Sequence, residues 1–215
     1  MKKIKAVIFD LDGTLANTLP LCIAAFRKSI EPLINRAVSD KEIIATFGPS
    51  EEGTIMALAP DHYDDGVTDY LRFYKLLHEM CPVTFEGINT LLFALKEKKV
   101  HVAMVTGKGK FSTDISLAHF GLGNFFEMIE TGSPHGPRKA AGIQSVLDML
   151  TAIKKEEVIY VGDSPADITA SKDAGIAVVA AAWAATAEPE KLIALQPNEI
   201  FYNIPDFANW LLASV

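Results

Sequence analysis

Apolar residues follow two different rhythms along this chain. Short, nearly continuous runs occupy 4–10, 100–106, 125–130, 158–161 and 176–180, the pattern of strands covered on both faces. Elsewhere the apolar positions recur every three or four residues. Leu19, Cys22, Ile23, Phe26, Ile30 and Leu33 form such a stripe and predict a helix over 18–33, with Thr18 as N-cap and Pro20 tolerated in the first turn. Ser39 with Glu42 has capping-box spacing and opens a second helix that stops at Gly48-Pro49. A short helix follows to Pro60. The next, over 67–80, sets Val67, Tyr70, Leu71, Tyr74 and Leu77 on one face. Nothing between 16 and 84 reads as a strand.

Beyond Pro82, helices over 87–99, 112–120, 140–150 and 165–174 alternate with the remaining strands. Such alternation implies right-handed βαβ units. The expected fold is therefore α/β, a doubly wound, mostly parallel sheet with an inserted all-helical block. The expected boundaries are 1–15 and 85–215 for the sheet domain and 16–84 for the insert.

At 215 residues, 49% hydrophobic and 22% charged, the chain has the composition of a soluble globular protein. Its longest nearly apolar run, 174–187, is shorter than the ~20 residues that span a bilayer. The apolar stretch after the N-terminal lysines is too short for a signal-peptide core, so a cytoplasmic location without membrane attachment is expected. A net charge of −7 argues against a nucleic-acid surface but not against an anionic substrate, since a local cation can dominate a cleft. Cys22 and Cys81 belong to no metal-ligand pattern and read as buried free thiols. Oligomeric state, monomer or homodimer, is left open.

The chemistry collects where strands end. Val7-Ile8-Phe9-Asp10-Leu11-Asp12-Gly13-Thr14 carries two carboxylates on one face of a strand that runs into a glycine turn. Adjacent anions repel unless a cation or a shared proton relieves them. A hairpin turn would explain Asp12-Gly13, but the chain continues as a helix rather than a returning strand. Thr106-Gly107 leaves the second strand, and Asp163 leaves the fourth, with Asp167 four residues on. Lys139 precedes a helix between them. Singly, each has a plain structural explanation: a turn, a helix N-terminus capped by Ser164, a solvated lysine. Their order at successive strand exits points to a site.

Asp10-Leu11-Asp12-Gly13-Thr14, Val105-Thr106-Gly107, a basic residue, and Gly162-Asp163-Ser164-Pro165-Ala166-Asp167 together resemble the four motifs of the haloacid dehalogenase superfamily of phosphotransfer enzymes. The insert is similar to that family's α-helical cap, as in phosphoglycolate phosphatase-like members. The resemblance implies a phosphatase acting on a small phosphorylated metabolite. Asp10 would be the nucleophile that forms an aspartyl-phosphate, and Asp12 the acid/base. It further implies Mg²⁺ on Asp10, the Asp12 carbonyl and Asp163, with Asp167 in an orienting role. Thr106, Gly107 and a lysine would hold the phosphoryl group.

The third motif departs from the usual Lys-Pro order, reading Pro137-Arg138-Lys139-Ala140. Lys139 is the first candidate, with Arg138 and then Lys110 behind it. Lys108 and Lys110 lack phosphate-loop spacing and read as an ordinary strand-to-helix turn. The loop Phe47-Gly48-Pro49-Ser50 is expected to reach the leaving group, with Gly48 as a substrate contact. Hinges near 15–18 and 82–86 are expected to gate the cap. Arg27, Arg36 and Arg72 are candidates for a substrate carboxylate or simply surface residues. Alternatives in the same superfamily are a β-phosphoglucomutase-like phosphotransferase and an inorganic pyrophosphatase. A phosphoryl-accepting signalling module is the rival of another class, but it has no need of the helical insert.

Overall fold

A computed structural model describes residues 3–215. The first strand, β1 (Ala6–Phe9), is the centre of the molecule. Its alternate residues feed two cores: Val7 and Phe9 on one side, Ala6 and Ile8 on the other. Burial on both faces explains why the run shows no polar alternation. Five further strands complete the sheet: β2 (His101–Val105), β3 (Met128–Glu130), β4 (Val158–Gly162), β5 (Ala177–Ala181) and β6 (Glu199–Phe201). All pairs are parallel and the order is β3-β2-β1-β4-β5-β6. Phe9 aligns with Met104 on one side and Val161 on the other, so the chains leaving β1, β2 and β4 emerge together at one sheet edge.

Five α-helices lie between β1 and β2, and the first four make the insert: α1 (Leu19–Ile34), α2 (Asp40–Ile44), α3 (Glu51–Leu58) and α4 (Tyr63–Leu76). Among the described residues no strand lies between Phe9 and His101, as the helical periodicity predicts. Phe26, Tyr70 and Tyr74 are buried where α1 packs on α4, with the Phe26 and Tyr70 rings 4.3 Å apart. The capping box at α2 forms, Ser39 and Glu42 bonding each other's backbone N–H at 3.2 and 2.9 Å. The expected Thr18 N-cap does not form. Thr18 precedes α1 in a helical conformation, and its buried hydroxyl donates to Asp12 instead.

The sheet carries α5 (Ile88–Glu97), α6 (Lys110–Phe120), α7 (Lys139–Met149) and α8 (Pro165–Ala174). Gly121 and Gly175 end α6 and α8 at φ 67° and 74°, the left-handed conformation that glycine adopts without strain. Strand β3 is shorter than the apolar run predicts, because 125–127 lie outside the ladder. Past Ala187 the chain adds α9 (Pro189–Ala194), β6 and α10 (Ile204–Ser214), which the alternation up to β5 does not anticipate. Phe207 and Leu211 of α10 seal the face of β1 that holds Phe9.

Candidate active site

The site is built from the edge upward. Asp10 keeps its backbone bond to Val161 (2.9 Å) although β1 has ended, which fixes its side chain at the sheet edge. Its Oδ1 accepts from the Leu11 N–H at 2.7 Å and its Oδ2 from the Lys139 ammonium at 2.6 Å. Lys139 opens α7 and also donates to Asp167. The other oxygen of Asp167 accepts from the Ser164 N–H and hydroxyl at 2.9 and 2.6 Å, so both its oxygens are engaged. Asp163 makes no ion pair among the described residues. Its carboxylate lies against Gly13, where a Cβ would fall 2.0 Å from Oδ2, and Gly13 has a φ of 73°. Only glycine meets both demands.

Asp10, Asp163 and Asp167 each direct a carboxylate oxygen into one cluster in which all three lie within 4.8 Å of one another. A lone ammonium faces this excess of buried negative charge. Burial, opposed by Lys139 and reinforced by Asp167 and Asp12, pushes the Asp10 carboxyl up to about 6. Burial and the carboxylates of Asp167 and Asp10 drive Asp163 well above the ordinary range. Asp167 is buried too, yet Lys139 and Ser164 hold it below that range. A hard, all-oxygen donor set carrying uncompensated charge fits a divalent cation such as Mg²⁺. Asp163 accepts no hydrogen bond among the described residues, each Asp10 oxygen accepts one, and Asp167 accepts three in all.

Asp12 stands apart from this cluster. Its carboxylate accepts from Thr18, lies 3.3 Å from the Lys108 ammonium and is partly exposed. Thr106 is buried at the exit of β2; its N–H donates to the Glu130 carbonyl and its Oγ1 accepts from the Lys108 N–H at 3.2 Å. A Cβ on Gly107 would lie 3.9 Å from the Lys139 side chain, so this turn borders the cluster. The alternatives to Lys139 lie elsewhere. Arg138 bonds the Thr131 carbonyl and pairs with Glu130 at 3.1 Å, and Lys110 pairs with Asp114 on the surface.

Gly48, φ 138°, sits over Pro137, and the Ser50 N–H donates to the Ser133 carbonyl at 2.9 Å. The insert therefore rests on the 131–137 loop. Its deepest reach is by Glu51, whose buried carboxylate accepts from the Gly109 N–H at 2.7 Å and from the Ser112 hydroxyl. In sequence Glu51 reads merely as an acidic residue in a helix's first turn. Lys108 is a correction: it is no ordinary turn lysine but a buried ammonium directed toward Asp12, Cys22 and Tyr74. Sequence spacing carries no signal for either residue, because both depend on how the insert docks. The arginines of the insert face away, Arg27 bonding Asp40, Arg36 Glu42 and Arg72 Asp69.

The profile of the haloacid dehalogenase-like hydrolases matches residues 7–181, which spans every residue of this cluster. The chain belongs to that family. It is an enzyme of the hydrolase class, and its helical insert is the cap. A protein named pyrophosphatase PpaX from Bacillus pumilus is 31% identical over 210 residues, covering 95% of this chain and 91% of that one. One of the same name from Listeria monocytogenes is 30% identical over 207 residues, covering 95% and 94%. Among solved structures, a haloacid dehalogenase-like family protein of Streptococcus pneumoniae superposes with a TM-score of 0.74 at 25% identity, covering 96% of this chain and 98% of that one. CbbY from Rhodobacter sphaeroides, in complex with phosphate, has a TM-score of 0.76 over 92% and 93%; at 18% identity it speaks to the fold alone.

Proposed function

We propose that this enzyme is a Mg²⁺-dependent phosphohydrolase that cleaves a small phosphorylated metabolite through a phosphorylated Asp10. The observation that carries the reading is the convergence of Asp10, Asp163 and Asp167 on one cluster, with Lys139 bridging the first and last. We further propose the division into a sheet domain, 1–15 and 85–215, and a cap, 16–84. Asp10, the Asp12 carbonyl and Asp163 hold the metal in this reading, while Asp167, its oxygens engaged by Lys139 and Ser164, orients Lys139. When bound, the metal neutralises charge between the carboxylate nucleophile and the phosphoryl oxygens.

The residues act as follows. An Asp10 oxygen bonds to phosphorus, and the bridging P–O bond breaks with its electron pair going to the leaving oxygen. Asp12 gives that oxygen its proton. Water then attacks phosphorus and returns a proton to Asp12; the Asp10 O–P bond breaks and phosphate leaves. Thr106, Gly107 and Lys139 hold the phosphoryl oxygens, and losing one such preorganised donor costs ~3–4 kcal/mol of barrier. Gly48 belongs to the loop that closes over the site.

Phosphate monoesters and inorganic pyrophosphate are both substrates to test, the second because two relatives covering 95% of the chain carry the name pyrophosphatase. Cytoplasmic location remains part of the proposal; among the described residues no helix is long and apolar enough to cross a membrane. The test is phosphate release from p-nitrophenyl phosphate and pyrophosphate with Mg²⁺. Asp10→Asn is expected to abolish release with the circular dichroism spectrum unchanged, and retained activity overturns the assignment.

A further inference from the structure

Among the described residues, one buried ammonium between cap and sheet is not used by this chemistry. Lys108 leaves the Thr106-Gly107 turn and runs into the cap with 3% of its side chain exposed. Its Nζ lies 3.3 Å from an Asp12 oxygen, 3.3 Å from Cys22 Sγ and 4.4 Å from the centre of the Tyr74 ring. Cys22 belongs to α1 and Tyr74 to α4, so these contacts form only where the helical insert meets the sheet domain. The Tyr74 ring is held in place by its hydroxyl's 2.8 Å bond with Ser116 of α6.

An ammonium offers three donors. Here the sole carboxylate partner is Asp12, at a long distance and already accepting from Thr18. Burial pushes the Cys22 thiol up to about 11, so the sulfur facing Lys108 is a neutral, weak acceptor. The ring contributes only its face. Burial opposes the charge, yet Asp12 holds the ammonium well above the ordinary lysine range; among the described residues its three donors meet one carboxylate. The other cations around the cleft are engaged. Lys139 holds Asp10 and Asp167, Arg138 holds Glu130, and the three cap arginines are paired on the surface. The start of α6 is closed as well, because Glu51 takes the Gly109 N–H and the Ser112 hydroxyl.

We propose that Lys108 contacts the substrate, binding a negative charge on the leaving side of the scissile P–O bond. The enzyme then selects leaving groups that carry a second anion beside the bridging oxygen, as in a diphosphate or a short phospho-carboxylic acid, over esters of neutral alcohols. The inference rests on the phosphohydrolase reading, in which Asp12 faces the leaving oxygen. A group within 3.3 Å of Asp12 lies on that same side. The incoming anion supplies the strong acceptor that Cys22 does not.

The experiment compares wild type with Lys108→Met, which keeps length and removes charge. kcat/KM is measured on pyrophosphate, 2-phosphoglycolate and ethyl phosphate with Mg²⁺; ethanol, like glycolate, leaves as an alkoxide that needs the Asp12 proton but carries no second anion. The variant is expected to lose about 10- to 100-fold on one or both of the first two, the scale of a hydrogen bond to a charged group, and no more than about 3-fold on the third. Which of the first two suffers identifies the anion. Equal losses on all three, or none, overturn the proposal: Lys108 then serves only Asp12 or the packing. A second arm needs no turnover and no variant. By calorimetry, wild type with Mg²⁺ is expected to bind methylenediphosphonate or phosphonoacetate, or both, at least about 10-fold tighter than methylphosphonate. Equal affinities refute the inference even if every substrate is cleaved. Wild type that cleaves none of the substrates yet makes this discrimination refutes the phosphohydrolase reading and leaves the anion site standing.

Discussion

Replacing Asp10 by Asn tests the electrostatics of the cluster without reference to any substrate. Burial is the largest cause that lifts the Asp10 carboxyl from 3.8 to about 6 in the folded chain. Between those values the native state holds more protons than the unfolded state, so stability falls as pH rises. Above pH 6 the full difference applies, on the order of a few kcal/mol at roughly 1.4 kcal/mol per pKa unit. It fades as pH falls toward 3.8 and vanishes only well below that, where the acid is protonated in both states. Asn has the shape of the protonated acid and can still accept from the Leu11 N–H, although its amide NH₂ then faces the Lys139 ammonium and offsets part of the gain. Metal-free Asp10→Asn is therefore expected to melt several degrees above wild type at pH 7.5, at roughly 2–4 °C per kcal/mol for a chain of this size. At pH 4 most of that gap should be gone. The assay is differential scanning calorimetry in EDTA across pH 4–8, repeated with Mg²⁺, which should raise the wild-type midpoint more than that of the variant. A metal-free variant less stable than wild type at pH 7.5, or a wild-type midpoint flat across this range, refutes the reasoning.

Other substitutions test neighbouring parts of the account. Lys139→Met leaves two buried carboxylates without their ammonium and should cost about 3–5 kcal/mol in urea unfolding, together with the activity. Arg138→Ala, whose guanidinium faces Glu130 and the Thr131 carbonyl, should retain phosphate release within about 3-fold, since no donor to the phosphoryl group is removed. If these two results are exchanged, the choice of Lys139 is wrong. Glu51→Ala removes the carboxylate that fastens the cap to Gly109 and Ser112, and urea titration should show a loss of about 1–3 kcal/mol. An unchanged midpoint would mean that this contact contributes nothing to cap docking.

The sheet was readable in the sequence because its strands are apolar on both faces and its helices are striped. The inserted helical block was readable because nothing in it alternates with period two. Local signals predict local structure well: Ser39 and Glu42 cap α2, and Ser164-Pro165 opens α8 where expected. Thr18 shows the limit of such signals, since a cap residue and a hydrogen-bond partner for Asp12 look alike in sequence. The strand-exit residues were legible as a set because parallel strands bring their ends to one edge. What could not be read depends on docking between distant segments. Lys108 is buried only because α1 and α4 cover it, and Glu51 reaches α6 across 58 residues of chain. The elements after Ala187 are short, and α9 and β6 fall below the length at which periodicity discriminates.

The covalent step is the claim on which the proposed chemistry turns. The enzyme is mixed with Mg²⁺ and saturating p-nitrophenyl phosphate, quenched in acid within milliseconds and reduced with borohydride, which converts an aspartyl-phosphate to homoserine. Peptide mass spectrometry should then find homoserine at position 10 and nowhere else. Steady phosphate release with an unmodified Asp10 would contradict the account.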